Sequence, residues 1–336
     1  MSMAEIASYM ADLNGRDRLI ELNGVALPDG YEDFRFGMTS EFFFNAYGEP
    51  AAKAAMVELA EEYYRESDPP PSLLVQESSS RKLREVADIR RVLLTSRTND
   101  PTVGDLRDEF VDVDRSLSFY IKLVNRGKKS FFPSYRKFSC LVDGRAYRTG
   151  GCLNCHSQYG DVENNPSAFI RAFVHRCQVL KTFYAVAGFS LLLGTYSSPL
   201  TGDAYPLFRR FPGLLYADSG CFSSEMVRRD DAIRDVNWLT GINGAMVRRI
   251  GGLDGARAQL SADVVIHPYE GGVVFQAGSK PRIGDFDTKD IPAAYREVNN
   301  LLRPLRFDGW TRPYYLRVPE SVDTAEATRS WISRFD

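Results

Sequence analysis

The chain has 336 residues, 44% of them hydrophobic and 12% aromatic, enough to bury a large core as two domains or one large one. Its 42 basic and 44 acidic side chains nearly cancel. That excludes a nucleic-acid binder driven by whole-molecule positive charge and leaves any charge-driven partner to a local patch.

In chain order, the first stretch, MSMAEIASYMADLNGRDRLIEL, places Glu5, Asp12 and Arg16 where an export signal needs an unbroken apolar run. The later apolar run 185–194 is interrupted by Gly188 and Ser190 and falls short of the roughly 20 residues of a membrane span. With five cysteines, an odd number, the expectation is a cytoplasmic protein with free thiols and no membrane contact. The aromatic, partly alternating run from Asp33 to Asn45 predicts a strand. Pro50 opens a helix in which Ala52, Met56, Leu59 and Tyr63 share one face and Glu58, Glu61, Glu62 and Glu66 the other. Asp68-Pro69-Pro70-Pro71 ends it, and a further helix is expected over 81–94 before Asn99-Asp100-Pro101.

Strands are expected over 111–124 and 131–142, joined by a turn at Asn125-Arg126-Gly127. Asn165-Pro166 reads as an N-cap with proline at the first helical position, opening a helix whose apolar face carries Phe169, Phe173, Cys177 and Leu180. His175 lies off that stripe, at the surface. A buried strand over 184–194 completes the order β-α-β-β-α-β. After a short helix at 204–210, the order begins again. It runs through a strand at 236–240, helices at 243–250 and 253–260, a hairpin of 263–269 and 271–278 turning at Glu270-Gly271, a helix at 291–302 and a last strand at 314–318.

The fold expected is therefore α+β, two ferredoxin-like (βαββαβ) units with helices on mostly antiparallel sheets. Residues 1–30 form an N-terminal segment. The first unit spans 31–194 with insertions at 72–100 and 143–165, a connecting region covers 195–235, and the second unit and C-terminal tail cover 236–336.

Cys152-Leu153-Asn154-Cys155-His156 matches the C-x-x-C-H signature of covalent haem. A cytoplasmic address is wrong for that attachment, and Met226, Met246, His175 and His267 offer no singled-out second axial ligand. A Cys3His zinc set would add Cys140 at irregular spacing. A dithiol site wants the start of a helix, whereas 157–165 is polar and turn-rich. A metal- or redox-linked protein built on this loop is the alternative reading. The simpler one is a glycine-bounded surface loop connecting the third strand to the second helix, with no cofactor and no bound metal.

No nucleophile elbow, zincin pair, phosphate loop or dinucleotide fingerprint occurs in the sequence. The best carboxylate cluster is Asp285-Phe286-Asp287 with Asp290. Two such acids can hold a cation but more often cap turns and the following helix. A second acidic tract is Asp105, Asp108, Glu109, Asp112 and Asp114.

The C-terminal half resembles the type VI immunity protein family. The resemblance is carried by Trp238-Leu239-Thr240, Arg249-Ile250-Gly251-Gly252, Gln276-Ala277-Gly278, Gly284-Asp285, Tyr295-Arg296 and 301–305, with FRRFPGLLYAD (208–218) upstream and, more loosely, the FRFGMTSEFFF strand. The segment 131–164, cysteine motif included, is not part of it. The resemblance implies a non-enzymatic protein that neutralises a cognate type VI effector toxin, a DNase encoded next to it, without touching nucleic acid itself. A nuclease grips phosphate with a basic groove, so its inhibitor should offer acidic groups. The candidates for toxin binding are Asp105, Asp108, Glu109, Asp112, Asp114, Asp285, Asp287 and Asp290, with the Glu58-Glu61-Glu62 helix face as a third tract. Trp310, Tyr314 and Tyr315 are aromatic candidates for anchors, core packing being the competing role.

Overall fold

The computed structural model describes residues 34–45, 50–67, 70–76, 79–95, 119–126, 133–142, 150–193, 205–217, 222–223, 225–226, 229–310, 316 and 318–336. Its centre is one antiparallel sheet in the order β3-β2-β4-β5-β6-β1-β7-β8-β10-β9. The strands are β1 (Phe34–Asn45), β2 (Leu73–Gln76), β3 (Ser79–Lys82), β4 (Phe119–Arg126), β5 (Pro133–Val142), β6 (Gly150–Gln158), β7 (Tyr184–Leu193), β8 (Leu239–Asn243), β9 (Val264–Tyr269) and β10 (Gly272–Ala277). The helices are α1 (Pro50–Glu66), α2 (Ala87–Thr95), α3 (Tyr159–Asn164), α4 (Pro166–Leu180), α5 (Tyr205–Arg210), α6 (Gly244–Arg249), α7 (Gly252–Gln259), α8 (Ala293–Leu302) and α9 (Thr324–Ile332). No described helix is long and apolar enough to cross a membrane.

The mixed helix and antiparallel sheet class is as expected. The joint between the halves is less so, because β7 pairs with β1 on one side and with β8 on the other, fusing both halves into a single sheet. β1 and β7 are central and covered on both faces, which is why β7 reads as a near-continuous apolar run and why even Thr39, Ser40 and Glu41 of β1 are buried. One face of β1 meets the α1–α4 layer, with the Phe42 ring 4.9 Å from Phe173 of α4. The other turns Phe43 onto Tyr184 at 5.4 Å and Phe222 at 5.0 Å, and Phe222 in turn packs on Trp310.

Local chemistry sets several boundaries. The Asn165 side chain accepts from the Ala168 N–H at 3.0 Å and Pro166 follows at the first helical position, starting α4 where the sequence predicts. Gly271, at φ 101°, makes the β9–β10 turn.

Other boundaries differ from expectation. The stretch expected as one helix over 81–94 splits into the end of β3 and α2, because β3 pairs along its length with β2. The helix α9 was expected only as tail; Asp323 caps it by accepting from the Glu326 N–H at 2.8 Å. Of the last expected strand, 314–318, residues 314, 315 and 317 lie outside the described residues, and Leu316 forms a buried bend.

Candidate functional site

The cysteine motif is neither a surface loop nor a connection. It is β6, paired with β5 and β1 through registers that set Cys155 opposite Phe138 and Ser40, and Cys152 opposite Leu141 and Phe43. Successive strand residues face opposite ways, so Cys152 and Cys155, three apart, point to opposite faces of the sheet. Three residues of strand also span about 10 Å, beyond disulfide or single-metal reach. The haem, zinc and dithiol readings fail together on that geometry. Cys152, Cys155 and Cys177 are all buried. Burial pushes Cys155 up to about 11 and Cys177 up to about 12, away from thiolate chemistry.

The acids of 285–290 are brought together, but as a braced turn. Arg210 donates to both carboxylate oxygens of Asp285, at 3.0 and 2.7 Å, and its guanidinium lies 3.1 Å from Asp287. Arg282 donates to both oxygens of Asp290 at 2.7 and 2.8 Å. The Asp285 and Asp290 backbones exchange hydrogen bonds at 2.7 and 2.9 Å, and Gly284 turns at φ 62°. Burial pushes the Asp285 carboxyl up, but the Arg210 hydrogen bonds and charge outweigh it and hold the group below its usual range. Two guanidinium groups face the three acids, so most of the turn's negative charge is offset within the fold and its carboxylates are not arranged as a cation cage. It forms one wall of a cleft of about 670 Å³ with Gly278, Lys280 and Tyr295.

The tract Asp105, Asp108, Glu109, Asp112 and Asp114 lies outside the described residues, as do Tyr314 and Tyr315. Trp310 is packed at 5.2 Å against Phe307 and belongs to the core margin.

On the α1 face, Glu61 is buried and spent within the fold, taking Arg90 at 2.8 and 3.2 Å and Arg65 at 3.1 Å. Its carboxyl is held below its usual range chiefly by the Arg90 hydrogen bonds. Glu58 and Glu62, one helical turn apart, instead point towards His175 of α4, and the Glu62 carboxylate is 3.2 Å from the His175 Nε2. Beside them Arg176 reaches Glu66 at 3.4 Å. α4 also borders a cleft of about 740 Å³ that opens towards β9 and β10, lined by Ile170, Arg171, Val174, His175, His267 and Gln276 among others. His267 Nε2 sits 2.8 Å from Gln276 Oε1.

Sequence reasoning missed a buried ionic cluster on the opposite face of the sheet. Asp235 accepts from Arg234 at 2.6 Å, Arg334 at 2.9 Å and the Tyr184 hydroxyl at 2.9 Å, and Arg234 pairs with Glu41 of β1 at 2.8 Å. Two carboxylates and two guanidinium groups balance, and Arg334 also lies over the Trp331 ring at 3.9 Å. Burial pushes Asp235 up, yet the fields and hydrogen bonds of Arg234 and Arg334 together hold it below the normal carboxylate range. Tyr184 is raised well above its usual value, first by burial and then by Asp235. The available signal was Glu41, a lone acid inside the apolar run MTSEFFF.

The residues by which the sequence resembles an immunity family are mostly interior. Trp238, Leu239, Thr240, Ile250, Gln276, Ala277, Tyr295, Leu301, Leu302 and Leu305 are buried. Trp238 Nε1 and Gln276 Nε2 both donate to the Gly278 carbonyl at 3.0 Å, and the Tyr295 hydroxyl accepts from the Arg282 N–H at 3.0 Å. These side chains hold the scaffold rather than offer themselves to a partner.

Comparison with known proteins gives a consistent result. A family model described as TsiV, type VI immunity for VRR-NUC, matches residues 161–335. No curated protein matches the sequence. Among solved structures, the fold is similar to that of the Pseudomonas aeruginosa T6SS protein PA0821. That match has a TM-score of 0.74 and 21% identity over 98% of this chain and 90% of the other.

Proposed function

The chain belongs to the TsiV family, type VI immunity for VRR-NUC, and from that premise we propose that it binds a cognate nuclease toxin and neutralises it by occlusion, mole for mole. The observation that carries this reading is the family match over 161–335, a segment that builds α4, β7 to β10 and the whole C-terminal layer. The protein is read as an inhibitor without turnover, acting in the cytoplasm where the toxin meets DNA, and not itself holding nucleic acid.

Electrostatics refines which acids serve. Arg210 and Arg282 offset two of the three negative charges of Asp285, Asp287 and Asp290 and so weaken the field these acids project outward. The tract Asp105, Asp108, Glu109, Asp112 and Asp114 is therefore proposed as the group that meets the basic rim of the toxin. The two halves are further read as tandem βαββαβ units with fused sheets. The orders β7-β1-β6-β5 and β7-β8-β10-β9 support this, β7 standing in for the fourth strand of the second unit.

The test is a titration of nuclease activity with purified protein, alongside size-exclusion chromatography of the mixture. Full inhibition at one equivalent with a co-eluting complex is expected. Complete inhibition at a small fraction of an equivalent, or no complex, would overturn the reading.

A further inference from the structure

We infer that Glu58, Glu62 and His175 form a binding site for a divalent cation of the zinc type, clipping α1 to α4. The site goes beyond toxin neutralisation and does not rest on it. Glu58 and Glu62 are i and i+4 on α1, so both carboxylates leave the same side of the helix. His175 comes from α4, packed alongside, and one ligand atom from each of the three residues lies within 4.8 Å of the others. The Glu62 to His175 Nε2 separation is 3.2 Å. Two ligands at zinc's bond lengths of about 2.0–2.1 Å, arranged tetrahedrally, sit about 3.3 Å apart, so that pair already forms one edge of the polyhedron. Glu58 is exposed and closes the remaining gap by a side-chain rotation.

The donor set chooses the metal class. One imidazole nitrogen with two carboxylates suits a borderline first-row ion, whereas magnesium and calcium ask for an all-oxygen shell. Two negative charges and a neutral imidazole balance a divalent ion, and with three protein ligands the fourth position falls to water. Glu61, between the two ligands in sequence, is directed instead at Arg90 and Arg65 and is not a competitor. Because the ligands come from helices 113 positions apart between Glu62 and His175, bound metal would tie α1 to the family-matched segment that contains α4.

The experiment is calorimetric titration of the full chain, reduced, with Zn2+ and with Mg2+, followed by the same Zn2+ titration of His175→Ala, E58Q/E62Q and the control His267→Ala. The wild type should take up one equivalent of Zn2+, rise in Tm with it, and ignore Mg2+. His175→Ala and E58Q/E62Q should each bind more than about tenfold more weakly, with His267→Ala unchanged. All four substituted residues are at or near the surface, so metal-free Tm values should stay close to wild type. Absence of saturable uptake, uptake unaffected by His175→Ala, or loss in His267→Ala instead would each overturn the site.

Discussion

Two sets of polar side-chain contacts in this molecule use similar groups to opposite effect. In the α1–α4 layer, Glu61 with Arg90 and Glu62 with His175 sit with at least one partner in water. Beneath the other face of the sheet, Glu41, Arg234, Asp235 and Arg334 are wholly enclosed. Water solvates a broken surface pair, so each contributes about 0–1 kcal/mol. Nothing solvates a broken buried pair, and removing one partner costs about 3–5 kcal/mol. The lesson is that the C-terminal layer is locked to the sheet by charges that must all be present, while the helical layer remains electrically adjustable and open to ligands.

The sharpest way to break that contrast is Asp235→Ala, which leaves Arg234 and Arg334 facing each other without their shared carboxylate. Unfolding in urea should show a loss of about 3–5 kcal/mol, and a loss below about 1 would mean the cluster is not closed to water. The cluster also predicts an acid dependence. A carboxyl held below its usual range when folded contributes stability above its unfolded pKa, about 3.9, and loses it as pH falls through the lower folded value. Wild type should thus lose more stability than Asp235→Ala as pH falls below about 3.9.

A smaller effect tests the seam beside that layer. A Cβ on Gly213 would stand 2.0 Å from the Arg282 carbonyl oxygen, in backbone that cannot swing aside. Gly213→Ala should cost about 1–3 kcal/mol, and a neutral outcome would show the segment free to shift. Glu61→Gln should cost about 1 kcal/mol, at the upper end for an exposed network because the carboxylate itself is buried. Least of all, Glu62→Gln without metal should change stability by less than about 0.5 kcal/mol; a larger loss would put that pair with the buried class.

Elements with local signals were legible in the sequence. The Asn165-Pro166 start of α4, the apolar run of β7 and the glycine turn between β9 and β10 are set by side chains next to the feature they control. β6 was not legible, since GGCLNCHSQ has neither β-branched residues nor a clean alternation. It is a strand because β1 and β5 supply partners on both edges, an arrangement in which even Asn154 and His156 are buried. The candidate sites divided likewise. The 285–290 acids were found, but the arginine that braces two of them comes from 75 positions away, and no short window connects Glu62 to His175.

The double pairing of β7 has a practical corollary for anyone cutting this gene. A fragment confined to 161–335 would retain β7 but strip away β1, baring a backbone rim that the intact chain covers from Phe34 to Phe43. Such a rim invites self-association, so the matched segment should aggregate when expressed by itself, and swapping halves between relatives should succeed only if the donor brings both neighbours of that strand.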